Sequence, residues 1–263
     1  VITPKAMKLI TYEVHERIGT ITLNRPDKRN ALSPSLVMEL DQAFDLAERD
    51  ENVKVIILQA NGETFCAGAD LAYLQELQQF SYEQNLEDSM RLKSLYEKIF
   101  RLKKIVIAQI QGHALAGGCG LATVCDIVFS VSEAKFGYTE VKIGFIPALV
   151  MVFLVRKIGE QRARFMLLSG ELISAEAAQQ YGLVHQLCPT NDLKSVVRAF
   201  AAKIARQASA QSLELTKSLL AQIQSRSLED GLALAASANA HARATDDCKK
   251  GIAAFLSKQE LTW

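Results

Sequence analysis

Residues 112–126 read Gly-His-Ala-Leu-Ala-Gly-Gly-Cys-Gly-Leu-Ala-Thr-Val-Cys-Asp, and the rest of the chain is best read outward from them. Upstream, Ile105 to Ile110 (IVIAQI) is a short apolar run that predicts a buried strand. Downstream, Leu121 to Cys125 suits a helix. Between them stand the small residues Ala114, Ala116, Gly117 and Gly118. A strand, a Gly-rich turn and a helix start present backbone N–H groups at a helix N-terminus, where they meet an anion or a polarised carbonyl oxygen. The same residues also suit a tight turn that uses glycine for close packing. This stretch alone leaves both readings open.

A second stretch repeats the arrangement. Lys54 to Ala60 (KVIILQA) reads as a strand apolar on both faces, as in a sheet covered by helices. Asn61 to Leu71 follows as a loop, with Ala67, Gly68 and Ala69 too small to block approach of a ligand to the backbone. Helices are predicted over 73–80 and 82–100, with Leu92, Leu95, Ile99 and Leu102 marking the buried face of the second. In α/β architectures ligands gather beyond the carboxyl ends of such strands. Two loops that each offer one N–H to the same carbonyl oxygen make an oxyanion hole. The pairing is more specific than either loop alone.

Elsewhere, 9–15 and 20–23 read as a hairpin. Asn24 to Asn30 is a polar loop with Arg25, Lys28 and Arg29, either a solvated turn or a cationic rim for a phosphate-bearing ligand. Ser33-Pro34 opens a helix as N-cap and first helical residue, and Leu36, Leu40, Phe44 and Ala47 give it one buried face. Strands are predicted at 127–131 and 184–187, helices at 160–168, 174–181, 191–206 and, with breaks, 209–257. The alanine-rich tract 232–244 suits close helix packing, within the chain or between subunits. Glu140 lies in mostly apolar sequence. A carboxyl group held there has its pKa raised toward a range useful for proton transfer; the competing reading is a surface glutamate that starts a helix.

The totals bound the answer. A net charge of +1 argues against nucleic acid or an acidic membrane surface as partner. No apolar run is long enough to span a bilayer, and Val1 to Lys8 lacks a signal-peptide core. Five cysteines without a C-x-x-C pair argue against a disulfide framework and a zinc site, so no metal is expected and a reduced, cytoplasmic setting is. With no linker or repeat, the expectation is one main α/β domain with a helical tail.

Four segments together resemble the crotonase family, the enoyl-CoA hydratases and isomerases: NRPDKRNAL (24–32), FCAGADL (65–71), the 112–126 stretch, and FGYTEVKIGFIP (136–147). The resemblance covers most of the chain. It implies a spiral of repeated ββα units, a core at 1–200, a helical trimerisation region at 201–263, and a homotrimer or dimer of trimers. It also implies that the backbone N–H groups of Ala69 and Gly117 bind the thioester carbonyl of an acyl-CoA. Arg25, Lys28, Arg29 and Leu32, with the backbone of Ala67, Asp70 and Leu71, would hold the CoA moiety. Phe255 and Lys258 would add contacts from a neighbouring subunit. CoA belongs to the substrate, and no separate cofactor is implied.

One departure matters more than the match. Hydratases of this family carry two catalytic glutamates. The second corresponds to Glu140; the first corresponds to position 120, which here is Gly120. Glycine moves no proton. A hydratase working through Glu140 alone is the leading expectation, and the 144–150 tract (GFIPALV) is similar to methylglutaconyl-CoA-type hydratases. A Δ3,Δ2-enoyl-CoA isomerase, which needs one base and an oxyanion hole, stands as the alternative. A non-catalytic acyl-CoA-binding relative stands as an alternative of another class. His113 and Tyr138 flank the predicted site, with structural roles expected for both. Gly120→Glu is expected to restore hydratase character.

Overall fold

The computed structural model describes residues 7–263. An antiparallel pair comes first, β1 (Ile10–His15) and β2 (Ile18–Leu23). It turns through Glu16 and Arg17, both at positive φ (51° and 66°), the backbone that matches the twist of a two-residue hairpin. Helix α1 (Pro34–Arg49) starts where the sequence predicts. The Ser33 side chain accepts from Leu36 N, Pro34 fills the first helical position, and Leu36, Leu40, Ala43, Phe44 and Ala47 are buried.

Strand β3 (Val55–Ala60) then pairs parallel to β2, and β4 (Ile105–Ile110) parallel to β3. Between them run α2 (Leu71–Leu77) and α3 (Tyr82–Arg101), the latter opened by a Ser81–Gln84 capping box. The two-residue strand β5 (Ala114–Leu115), helix α4 (Gly117–Val124), β6 (Ile127–Val131) and the short β7 (Lys135–Gly137) follow. Next come α5 (Ala148–Ile158), α6 (Glu160–Ser169), β8 (Ile173–Ser174), α7 (Ala175–Tyr181) and β9 (Gln186–Cys188).

The strands form two layers. The first sheet has the order β1-β2-β3-β4-β6-β9, parallel except at the β1–β2 edge. The second has the order β5-β7-β8 and is extended by parallel bridges between Leu32 and Ala69 and between Cys66 and Ala114. Each turn of the chain thus lays a long strand in the first sheet and a short stretch in the second before its helix. This is the spiral of ββα units that the resemblance implies.

Helix α8 (Leu193–Gln207) crosses residue 200 without a break and buries Leu193, Val197, Ala201 and Ala205 against the first sheet. Three helices end the chain: α9 (Ala210–Ile223), α10 (Leu228–Ala244) and α11 (Asp246–Leu256). Lys217 plugs α9 into the body. Its buried ammonium donates to the carbonyls of Ile99 (3.3 Å) and Lys104 (2.9 Å) and pairs with Asp126 at 2.6 Å. Neither α10 nor α11 contains a buried residue.

Four elements, α4, α5, β5 and β8, differ from the sequence reading. Helix α4 begins at Gly117 rather than Leu121, although Gly117, Gly118 and Gly120 disfavour helix. Packing overrides propensity: a Cβ at Gly118 would lie 2.3 Å from the carbonyl oxygen of Cys66. The apolar run in α5 forms a full helix that the sequence reading left unassigned. Strands β5 and β8 are too short for periodicity to reveal. Among the described residues no helix is long and apolar enough to cross a membrane, and no three His, Cys, Asp or Glu side chains cluster to hold a metal ion.

Candidate active site

The two small-residue loops meet beyond the carboxyl ends of β3 and β4. Cys66 N donates to His113 O (3.2 Å) and Leu115 N donates to Cys66 O (2.9 Å), so the loops run side by side. Gly68, at φ 92°, packs directly on the second loop: a Cβ there would sit 2.8 Å from Ala116 Cβ and 3.6 Å from Gly117 N. Only glycine fits that conformation and that spacing.

The ladder decides which amides remain free. Leu32 N donates to Gly68 O (2.7 Å) and Asp70 N donates to Leu32 O (3.0 Å). In this parallel bridge the partner groups belong to residues 68 and 70, so the N–H of the intervening Ala69 faces away from Leu32. Ala69 is exposed, and among the described residues its N–H has no backbone acceptor. Gly117 is the first residue of α4, where N–H groups lack an intrahelical partner. It follows Ala116, whose φ of 48° and ψ of −124° match the first central residue of a type II′ turn, a place normally held by glycine. Such a conformation costs about 1–3 kcal/mol unless its surroundings hold it. Here Ala116 N is held by Gly137 O at 2.7 Å.

Glu140 opens a 3₁₀ turn, Glu140–Ile143, three residues beyond Gly137. Its charge is felt by Cys119, in the first turn of α4, and by Tyr96, which packs against that turn. Burial raises its carboxyl above the ordinary glutamate value, against a smaller opposing effect from its own amide. Its Oε2 is buried and makes no hydrogen bond among the described residues. A carboxyl group desolvated in this way is suited to exchanging protons near neutral pH. The nearby thiols are not: burial pushes Cys66 and Cys119 up to about 12.

Position 120 is closed to a carboxylate. A Cβ built on Gly120 would lie 2.4 Å from Val150 Cγ1 and 2.9 Å from the hydroxyl of Tyr96. Tyr96 is fully buried and donates to Gly117 O at 2.8 Å. The expectation that Gly120→Glu restores hydratase character therefore meets a steric obstacle, because Val150 and Tyr96 take the room for the side chain. Tyr96 and Val150 were missed in the sequence. The available signal for Tyr96 was an aromatic hydroxyl on the buried face of α3, beside Leu95 and three residues before Ile99.

The cationic loop is only partly available to a ligand. Arg25 pairs with Asp70 at 2.6 Å, whereas Lys28 and Arg29 are exposed. Burial alone would raise the Asp70 carboxyl, but Arg25 and the amides of Tyr73 and Ala72 outweigh it and hold it below the usual range. The amides of Ala67 and Asp70 donate to Arg29 O (3.0 Å) and Leu32 O (3.0 Å), so neither is free for a ligand. Leu32 is buried, and the Leu71 side chain is exposed at the start of α2. The loop's shape rests on Asn30, also missed in the sequence. Fully buried at φ 53°, it donates to Asn61 O and Thr64 O (both 2.8 Å) and accepts from Arg25 N (2.9 Å).

Phe255 and Lys258 are exposed and are not brought to these loops within the chain. The tail they belong to is anchored at the other end of the sheet. Ser209 Oγ donates to Asp247 at the start of α11, Trp263 N donates to Arg206 O (3.0 Å), and Arg17 donates to Trp263 O (2.7 Å). Of the flanking residues, His113 accepts from Lys135 N (3.2 Å) and Tyr138 is buried against the Thr123 hydroxyl (2.7 Å), both in structural roles.

The structure thus joins a two-layered ββα spiral to two amides without a backbone acceptor and one desolvated carboxyl, a combination suited to an enzyme of this fold class. The model of the family described as enoyl-CoA hydratase/isomerase matches residues 13–263. A Thermus thermophilus protein provisionally named an enoyl-CoA hydratase is 43% identical over 242 residues, covering 92% of this chain and 95% of the relative. The 2,3-dehydroadipyl-CoA hydratase of Escherichia coli K12 is 36% identical over 245 residues, covering 93% and 94%. The crystal structure of an enoyl-CoA hydratase from Mycobacterium smegmatis superposes with a TM-score of 0.92 at 30% identity, covering 97% and 99% of the two chains. The chain belongs to the enoyl-CoA hydratase/isomerase family.

Proposed function

We propose that this protein is an enoyl-CoA hydratase with a single acid–base residue. One observation carries the reading: the amides of Ala69 and Gly117 lie on two loops that run side by side, and the desolvated carboxyl of Glu140 follows β7, the strand that pairs with β5 and holds Ala116 N. The thioester oxygen accepts from both amides. The Glu140 carboxylate takes a proton from water as the water oxygen bonds to Cβ. The π electrons move onto the thioester as an enolate, and Glu140 returns its proton to Cα. Water is added across the double bond, and the glutamate ends as it began. Negative charge on the thioester oxygen is largest at the enolate, so the two amides act mainly in the transition state.

Lys28 and Arg29 are the cations available to the CoA phosphates, and Leu32, the Ala67 carbonyl and Leu71 border the same cleft. Arg25 contributes by holding Asp70 and, through it, the start of α2. The exposed apolar residues of α10 and α11, including Leu228, Leu232 and Phe255, suit an interface between copies of the chain, with a trimer as its simplest closed form. Phe255 and Lys258 would then reach the cleft of a neighbour. No cofactor beyond the CoA of the substrate enters this scheme.

The filled space at Gly120 supports a second reading, a Δ3,Δ2-enoyl-CoA isomerase, in which Glu140 removes the Cα proton and delivers it to Cγ. Among hydratase substrates, the similarity of residues 144–150 to methylglutaconyl-CoA-type enzymes favours an acyl group carrying its own carboxylate. The test is to incubate the protein in parallel with a trans-2-enoyl-CoA, a 3-enoyl-CoA and 3-methylglutaconyl-CoA and resolve products by chromatography coupled to mass detection. Gain of water from a 2-enoyl substrate supports the hydratase. Conversion of the 3-enoyl substrate without a mass change, and no hydration, makes it an isomerase. Binding of all three without turnover makes it a non-catalytic acyl-CoA binder.

A further inference from the structure

The space where the family's first glutamate would stand is occupied by a group that acts on the oxyanion donors. The first turn of α4 carries the Gly117 amide, yet its own residues give it little rigidity: Gly117, Gly118 and Gly120 each disfavour helix by about 1 kcal/mol relative to alanine, and Ala116 before them is strained. Two contacts from outside hold it. On one side Ala116 N donates to Gly137 O at 2.7 Å. On the other the Tyr96 hydroxyl donates to Gly117 O at 2.8 Å. The donor peptide lies between them, and glycine at 117 cannot fix its own ψ angle.

Tyr96 is itself held. It is fully buried, its ring meets Phe153 edge-on with centroids 6.5 Å apart, and its hydroxyl lies at the point a Cβ on Gly120 would approach to 2.9 Å. Burial raises the phenol well above its ordinary value, so it stays a neutral donor through the working pH range. A glutamate in that place would carry a charge; tyrosine supplies a fixed hydrogen bond without one.

From this geometry we infer that Tyr96 is a positioning residue for catalysis, its hydroxyl fixing Gly117 so that the amide of that residue points at the substrate carbonyl. This rests on Ala69 and Gly117 acting as the oxyanion donors.

The experiment uses 4-dimethylaminocinnamoyl-CoA, a push–pull chromophore whose absorption moves to longer wavelength when its thioester carbonyl is polarised. The wild-type protein is expected to bind it with a red shift. Tyr96→Phe keeps the ring and removes the donor. It is expected to bind the probe within about twofold of wild type but to lose at least about half of the red shift. Turnover of the natural substrate class is expected to fall about tenfold in kcat with KM within about twofold. A lower unfolding midpoint with red shift and kcat unchanged per folded molecule would leave Tyr96 a packing residue and overturn the proposal. Should Tyr96→Phe fail to fold, Gly120→Ala displaces the same hydroxyl from the opposite side; a full red shift there overturns the proposal as well. A wild-type protein that binds the probe without any red shift refutes the oxyanion assignment itself, a result distinct from loss of the Tyr96 effect.

Discussion

The guanidinium of Arg25 lies 2.6 Å from the carboxylate of Asp70, and through that contact the cationic loop is tied to the start of α2. Asp70 also accepts from Ala72 N (2.9 Å) and Tyr73 N (3.3 Å), capping the helix. Arg25 thus has a structural partner of a kind that Lys28 and Arg29 on the same loop lack among the described residues. Arg25→Ala leaves a mostly buried carboxylate without its partner and is expected to destabilise the fold by about 1–3 kcal/mol. Lys28→Ala and Arg29→Ala are expected to leave stability within about 0.5 kcal/mol and to weaken CoA binding, most at low salt. Thermal unfolding and CoA titration at two ionic strengths separate the two effects.

Asn30 supports the same loop from beneath. Asn30→Ala removes three hydrogen bonds, strands the carbonyls of Asn61 and Thr64, and leaves alanine at φ 53°. A loss of about 2–4 kcal/mol is expected in urea unfolding. An unchanged midpoint would mean that the loop holds its shape without Asn30.

Glu140→Gln is expected to lower turnover by about a hundredfold or more while CoA binding persists; near-wild-type activity would sink the single-glutamate mechanism. In the wild type the base must be ionised, so the acid limb of the kcat/KM profile is expected above the ordinary glutamate value of 4.5.

Stability should run the other way. Because the native carboxyl has the higher pKa, the folded protein binds more protons than the unfolded one between 4.5 and the raised native value. The Glu140 contribution is therefore fully present below 4.5 and is lost as pH rises through that window. Glu140→Gln is expected to gain stability relative to wild type at pH values above the window, with the difference shrinking in acid. Unfolding midpoints across pH test this.

Gly120→Glu is expected to cost about 1–3 kcal/mol through overpacking against Val150 and Tyr96 and to confer no additional hydration of a 2-enoyl-CoA. A stable variant with faster hydration would show that the helix and Tyr96 yield more readily than their contacts imply.

Legibility in the sequence follows how local each feature is. Residues 105–110 and 127–131 are apolar runs of strand length, and the structure has strands with those bounds. Ser33, Pro34 and the spacing of Leu36, Leu40 and Phe44 carry the whole of α1. By contrast β5 and β8 exist because of partners distant in sequence, and α4 starts in glycines that read as a turn until Cys66 O is seen packed against Gly118. At the site, the small residues flagged the two donor loops. Which amides stay free depends on pairings such as Leu32 with Gly68 and Asp70, and no local pattern shows these. Arg25 looked like its neighbours Lys28 and Arg29 because the difference lies in Asp70. Nothing local marks Tyr96, because its hydroxyl partner lies in another helix.

The anchoring of Ala116 N by Gly137 O also bears on the order in which the site comes into being. A polypeptide leaves the ribosome N-terminus first, so the segments bearing Ala69 and Gly117 emerge before β7 and Glu140. Until Gly137 has been synthesised and docked, the strained turn at Ala116 lacks one of its two clamps and the proton-transfer group is absent. A nascent chain, or a fragment ending short of residue 137, therefore has the donor sequence without a formed site. The turn at Ala116 gains that clamp when the short β7 strand pairs with β5.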